Sequence, residues 1–496
     1  MSSTAPSRSE KVRSQLNHPV IDSDGHQVNF GPAVEDYVRA IGGSDYAVRY
    51  IPQNLRVLTG SDGERSRSRN TRPVWWIYPT ANALDRATSA LPRLLYERLD
   101  ELGIDYTVLY PSTMGFQVYR VGSESTDRDD DPELRRVTLR ATNAYRLDIC
   151  REFADRMTPA VTVSMTTPEE AIEDLDYTVN ELGGKVIHVL PVLRPIESVH
   201  ERYPGIGKEN GRFDRHNYWL DTFGLDSEYD YDPFWKRAVE LNAPLATHGT
   251  GLGFTGRASP TNHVYNHMGH FADAGEAFCK SLFLGGVTRR FPQLKFAFLE
   301  GGGSTGARIY CDLFPRWEKR GRDGIQGLNP AGLDRQLFYD LHVKYGGEMV
   351  EGRLDQVLTT GVNIVPEEIE DVELDDFAAC GIERPEDIRD LFIPHFFFGC
   401  EADDPMNRIA FDRLLLPLGE QINTLFSSDM GHWDVPDTAD VVREAYEQVE
   451  NGLLTDENFR DFVFTNPVKF FAGSNPDFFN GTKVEAEANR LLAEGL

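Results

Sequence analysis

Four stretches of the chain each run from apolar residues into side chains able to bind a metal ion. Ile21-Asp-Ser-Asp24-Gly-His26 carries Asp24 and His26, and Ala-Thr-His248-Gly carries His248. Phe-Leu-Glu300-Gly-Gly-Gly carries Glu300, and Phe-Ser-Ser-Asp429-Met-Gly-His432 carries Asp429. Asp24, His248, Glu300 and Asp429 are each followed within two positions by glycine, which allows a ligand close approach to the backbone. Alone, a strand-end histidine hydrogen-bonds a neighbouring loop and a lone aspartate caps a helix. Together, at successive strand ends, they favour a site. Mixed imidazole and carboxylate ligation suits zinc, iron or manganese better than magnesium or calcium, which prefer oxygen shells.

Further histidines are conditional members of that site. His432, three residues beyond Asp429, is a candidate base or a partner for a metal-bound carboxylate. His188, in Lys-Val-Ile-His-Val-Leu, reads equally as a buried structural histidine or as a ligand inside the mouth. The segment Asn262-His-Val-Tyr-Asn-His-Met-Gly-His270 is dense in histidine for a chain with 12 in all. His263, His267 and His270 have the spacing of one helical face, so His267 and His270 are candidate ligands or substrate contacts, against a reading as solvated imidazoles. The aromatic segment Arg72-Pro-Val-Trp-Trp-Ile-Tyr78, with Tyr218 and Trp219, reads as a pocket wall or as core.

The elements that must position these residues follow a βαβ rhythm. Short apolar runs occur at His18–His26, Tyr106–Tyr110, Ala160–Val163, Lys185–Leu190, Pro244–His248, Lys295–Glu300, His395–Cys400 and Ile422–Asp429. Alternation puts Val20, Asp22, Asp24 and His26 on one face of the first. Between the runs lie amphipathic stretches, among them Ala87–Leu102 with Leu91, Leu94, Leu95 and Leu99 on one stripe, and Pro233–Leu241. Eight such units predict an α/β fold, a (β/α)₈ TIM barrel with long loop insertions and its site at the C-terminal ends of the strands. A doubly wound sheet is the alternative, but no GxGxxG follows a first strand. The expected organisation is a flexible arm over 1–17, one barrel domain over 18–474 and a tail over 475–496. Insertions are expected near 201–232, a candidate lid, and near 356–389, with an acidic loop at Ser123–Glu133.

Composition narrows the function classes. The 496 residues carry 79 acidic and 51 basic side chains, a net charge of −28, which opposes binding to nucleic acid or to anionic membranes. Five cysteines without CxxC spacing indicate neither a disulfide framework nor a thiolate zinc site, so a reducing cytoplasm is expected. The first 17 residues lack an apolar h-region, and no apolar run is long enough to span a bilayer. No P-loop motif occurs, which argues against phosphoryl-transfer chemistry.

With these pieces in view, the chain resembles the amidohydrolase superfamily, in its branch of aminocarboxymuconate semialdehyde decarboxylase-like metal-dependent enzymes. The likeness rests on Ile-Asp-Ser-Asp-Gly-His26, Ala-Thr-His248-Gly, Phe-Ser-Ser-Asp429-Met-Gly-His and Thr-Asn-Pro-Val-Lys-Phe-Phe-Ala-Gly473. The run Leu-Gly-Gly-Val-Thr-Arg-Arg-Phe-Pro-Gln-Leu-Lys-Phe-Ala-Phe-Leu-Glu300-Gly-Gly is its most specific part. The resemblance implies that Asp24 and His26 stand where many members carry His-x-His, and that His248 is the fifth-strand histidine. It also makes Asp429 the eighth-strand aspartate that deprotonates bound water, with Glu300 at a sixth-strand position where many members have histidine. It implies a divalent transition metal and a small-molecule substrate, hydrolysed or decarboxylated by metal-activated water. The carboxylate enrichment suggests an alternative, a dinuclear iron or manganese monooxygenase like some members of the branch, which would need an electron-transfer partner. A non-catalytic scaffold subunit is the second alternative. A homo- or hetero-oligomer is expected in either case.

Overall fold

The computed structural model describes residues 5–56, 81–112, 132–202, 218–249, 259, 261–329, 332–359 and 375–495. Ten strands occur among them: β1 (Ile21–Gln27), β2 (Tyr106–Pro111), β3 (Met157–Thr162), β4 (Val186–His188), β5 (Val192–Pro195), β6 (Tyr218–Asp221), β7 (Leu245–Thr247), β8 (Phe296–Phe298), β9 (Phe396–Glu401) and β10 (Asn423–Ser427). Eight of them form one parallel sheet in the order β1-β2-β3-β4-β7-β8-β9-β10. Each falls on one of the eight apolar runs. The sheet curls until its edges meet, where the Asp429 N–H donates to the Asp24 carbonyl at 3.0 Å. This is the (β/α)₈ barrel with helices around it.

The strands are short and covered on both faces, so they read as continuous apolar runs rather than as alternating ones. Phe296, Phe298, Phe396 and Phe398 are all buried. The helices turn one stripe inward. In Val441–Glu450 the buried set is Val441, Val442, Ala445 and Gln448, the spacing of a single helical face. The helix Gly303–Arg320 lies so close to β9 that a Cβ on Gly306 would stand 2.5 Å from the Phe398 ring. Ala87–Leu102 divides into Ala83–Thr88 and Pro92–Leu102, because proline is accommodated at a helix start and not in its interior. The break leaves Leu91 half exposed while Leu95, Leu99 and Leu102 are buried.

Excursions decorate this frame. Within the N-terminal arm, Arg8–Gln15 is a helix with Ser9 and Val12 buried. The Ser9 hydroxyl accepts from the backbone N–H groups of Val442 and Arg443 at 3.1 and 3.2 Å, tying this polar segment to the start of the helix Val441–Glu450. After β4, strands β5 and β6 pair antiparallel as a ribbon, pinned by the buried ion pair of Arg194 with Asp221. The rest of the candidate lid, 203–217, lies outside the described residues. Between the helices Gly303–Arg320 and Pro385–Phe392 the chain passes through the helix Arg335–Tyr345, none of whose side chains is buried. Of the acidic insertion, 360–374 lies outside the described residues. In the tail, Glu485–Ala493 packs Ala488 and Leu491 against the barrel's apolar layer. Among the described residues no helix is long and apolar enough to cross a membrane.

Candidate metal centre

The site is assembled from four strand ends. Asp24 and His26 come from β1, His248 is the first residue beyond β7, and Glu300 and Asp429 each stand two residues beyond β8 and β10. In β1 the register slips between Asp22 and Gly25, so strict alternation over Val20, Asp22, Asp24 and His26 does not hold. Gly25 permits that bulge: a Cβ there would lie 2.7 Å from Thr107 Oγ1 and 2.8 Å from Asp22 Oδ2. Both Glu300 (φ 48°) and Asp429 (φ 47°) occupy the left-handed region that non-glycine residues seldom adopt. Strain of that kind gathers at functional sites, and here it falls on two of the three site carboxylates.

These side chains converge at the mouth of the barrel. The ligating atoms of Asp24, His26, His248 and Glu300 lie within 4.8 Å of one another, and so do those of His26, Glu300, Asp429 and His432. His26 Nε2 is 2.9 Å from Asp429 Oδ1 and 3.5 Å from Asp24 Oδ1. His248 Nε2 is 2.9 Å from Glu300 Oε1 and 3.7 Å from Asp24 Oδ2. His432 Nδ1 is 2.6 Å from Asp429 Oδ1. Four ligands held tetrahedrally at about 2.1 Å from a zinc ion would stand about 3.4 Å apart, so the spacing fits a cation. The hydrogen bonding fits it too. Both oxygens of Asp24, His26 Nε2, His248 Nε2 and Glu300 Oε1 are buried without a hydrogen bond of good geometry. Buried polar atoms are nearly always satisfied, so a cluster of such atoms aimed at one point marks a place for a ligand.

The electrostatics follow from three carboxylates and three imidazoles removed from water. Burial pushes the Asp24 carboxyl well above the usual carboxylate range, and it does the same to Asp429, with Glu300 and Asp434 adding repulsion. Burial and the neighbouring histidines His432 and His248 hold His26 well below its ordinary value, and burial lowers His432 to about 4. His248 is the exception. Burial lowers it, but the Asp24 and Glu300 carboxylates outweigh that and raise it to about 9. Glu300 is lowered to about 2, because His248 more than offsets its burial. A buried anionic cluster that recruits a histidine proton to offset its charge is one a divalent cation would neutralise.

The other sequence candidates take different places. His188 is buried in β4, with Nε2 3.2 Å from the His248 backbone N and Nδ1 3.0 Å from Thr162 Oγ1. His267 and His270 do not share one helix. The chain breaks at Met268 and Gly269, the latter at φ 77°, between the helices His263–His267 and His270–Leu284. His267 Nε2 stands 3.9 Å from Glu300 Oε2 and its ring meets Trp433 edge-on, at the rim of the site. His270 is buried behind it, Nδ1 against the His267 carbonyl at 2.6 Å, and burial lowers it to about 4. Phe271 packs edge-on against His248 with ring centres 4.5 Å apart, forming an apolar wall that was not anticipated. The proposed wall at Arg72–Tyr78 lies outside the described residues.

Glu401 was missed as well. It ends β9, and burial together with Glu300 and Asp434 raises its carboxyl to about 8. The signal was present in the sequence, since Phe396-Phe-Phe-Gly-Cys-Glu401 is another apolar run ending in a carboxylate.

The amidohydrolase family model matches residues 74–322, half of the chain. No curated protein matches. Similar solved structures include an amidohydrolase from Mycobacterium avium subsp. paratuberculosis K-10, 16% identical, covering 92% of this chain and 100% of that one, with TM-score 0.46. A 2,6-dihydroxybenzoate decarboxylase from Rhizobium is 13% identical over 92% of this chain and 98% of its own, with TM-score 0.45. A 5-carboxyvanillate decarboxylase from Sphingomonas paucimobilis is 13% identical over 91% and 98%, also with TM-score 0.45. With its family model matched over half its length, the chain belongs to the amidohydrolase family.

Proposed function

We propose that this amidohydrolase-family chain is a metal-dependent enzyme acting on a small organic molecule by hydrolysis or decarboxylation. Asp24, His26, His248 and Glu300 would hold a divalent transition metal, and Asp429 and His432 would handle the proton. The observation that carries this reading is the convergence of four buried donors whose ligating atoms lack well-formed hydrogen bonds. A divalent cation there would supply Lewis-acid polarisation of a water molecule or a substrate carbonyl.

The residues supply the rest. Asp429 Oδ1 lies beside both His26 Nε2 and His432 Nδ1, so a proton received at Asp429 has a neighbouring imidazole to share it. Trp433 and His267 stand at the entrance, where they orient a substrate and limit access of bulk water. The two groups of four donors share His26 and Glu300, and in this reading the first group holds the cation while Asp429 and His432 of the second handle the proton.

Metal analysis of the purified protein tests this reading. About one divalent transition metal per chain is expected, lost on Asp24→Ala or His248→Ala. A protein that takes up no divalent metal would overturn it.

A further inference from the structure

We infer that His188 is a positioning residue that fixes the backbone of His248, and that its own nitrogens are not available as ligands. The inference rests on the reading of His248 as a metal ligand. Its geometric basis is a chain of hydrogen bonds running from an outer helix, through two strands, to the mouth of the barrel.

A backbone N–H can only donate. The His248 N–H points at His188 Nε2 at 3.2 Å, so that nitrogen carries no proton and spends its lone pair on the backbone. The neutral ring then carries its proton on Nδ1 and donates to Thr162 Oγ1 at 3.0 Å. Thr162 is fixed in turn: its N–H donates to Asn143 Oδ1 at 3.1 Å, and Asn143 Nδ2 donates to the Thr162 carbonyl at 2.7 Å. Asn143 belongs to the helix Pro132–Cys150 and is itself buried. Tyr110 closes the arrangement, its ring 5.5 Å from that of His188 and nearly perpendicular to it.

His248 needs such support. It stands one residue beyond β7, where the ladder with β4 and β8 has ended. A ligand imidazole on an untethered strand end would sample many orientations. The bond to His188 extends the strand's order by one residue, to the one that bears the ligand.

Two conservative replacements separate positioning from packing. Glutamine places its amide oxygen near the position of histidine Nε2, while asparagine reaches only as far as Nδ1. His188→Asn therefore keeps the Thr162 end and loses the acceptor for His248, whereas His188→Gln keeps that acceptor. Zn²⁺ alone is the probe, its affinity measured by competition with a chromophoric chelator, with the thermal midpoint of the metal-free proteins measured in parallel. His188→Asn is expected to weaken Zn²⁺ binding by roughly 10–100-fold. His188→Gln should stay within about threefold of the unaltered protein, with similar metal-free midpoints for the two variants. Equal affinities for the two variants would overturn the inference. Should His188→Asn not fold, Thr162→Val, which releases the ring at its Nδ1 end, is expected to weaken binding severalfold, and unchanged affinity would overturn the inference. Failure of the unaltered protein to bind any divalent metal is a separate result, which removes the reading of the site and this inference with it.

Discussion

Asp22 and Asp24 lie two residues apart on β1, and both are completely buried, yet their surroundings differ in kind. Asp22 accepts from Thr107 Oγ1 at 2.7 Å, from the Ser428 N–H and Oγ at 2.9 Å each, and from the Asp24 N–H at 3.2 Å. Burial pushes it up to about 6, with the Thr107 and Ser428 bonds pulling the other way. Asp24 faces His26, His248 and Glu300, and neither of its oxygens has a well-formed hydrogen bond. One layer of the barrel is satisfied by the protein itself, and the layer above it is left for something else. Residue type and burial are the same in both, so the donors that surround a carboxylate distinguish scaffold from ligand.

Histidines repeat the contrast at opposite ends of the barrel. His395 stands just before β9, its Nδ1 donating to the Leu294 carbonyl at 2.8 Å. His248 stands just beyond β7, its Nε2 turned towards two carboxylates. A carbonyl partner leaves the first a structural residue, and the carboxylates make the second a ligand candidate.

Substitutions can break this comparison, and the largest effect is expected in the upper layer. Asp24→Ala should abolish metal retention and reduce activity to background, while the metal-free protein loses less stability in denaturant unfolding than it does on removal of Asp22, whose oxygens accept four hydrogen bonds. A smaller loss is expected from His432→Ala: kcat should fall by roughly 100-fold with metal content retained, as for removal of a proton-handling group. Retained activity would remove His432 from the proposed chemistry.

In the lower layer the pattern reverses. Asp22→Ala strands the donors of Thr107, Ser428 and Asp24 and is expected to destabilise the metal-free protein by about 3 kcal/mol. A loss of metal without a loss of stability would erase the distinction between the layers.

The smallest effect concerns His395. Burial lowers it to about 4, below its ordinary value of 6.5, so the unfolded chain takes up a proton between those values and the folded one does not. Its contribution to stability is complete above pH 6.5 and is lost as pH falls towards 4. His395→Gln should make acid destabilisation shallower in that window by up to one proton, read from unfolding curves at several pH values. An unchanged slope would show that His395 is not a contributor.

Much of this was legible in the residues. All eight barrel strands fall on the apolar runs, because a parallel strand covered on both faces must be apolar nearly throughout. The convergence of Asp24, His26, His248, Glu300 and Asp429 follows from their common place at strand ends, which the barrel brings to one rim. What escaped depends on contacts distant in sequence. Alternation along Lys185–Leu190 cannot tell that His188 receives the His248 N–H from the next barrel strand. Periodicity across Asn262–His270 cannot register that Gly269 adopts a positive φ and splits the helix. The β1 bulge is a property of the pairing with β2, and Glu401 stood one residue beyond the run that ended at Cys400. Nor can the polar arm reveal the partners of Ser9, because the N–H groups of Val442 and Arg443 lie more than 430 positions away.

The central claim is that the barrel mouth is a cation site built around Asp24. The most direct test is titration of the metal-free protein and its Asp24→Ala variant with a divalent transition metal, followed calorimetrically. The account predicts about one tight site per chain in the original and none in the variant. No tight binding in the original, or equal binding by both proteins, would contradict it.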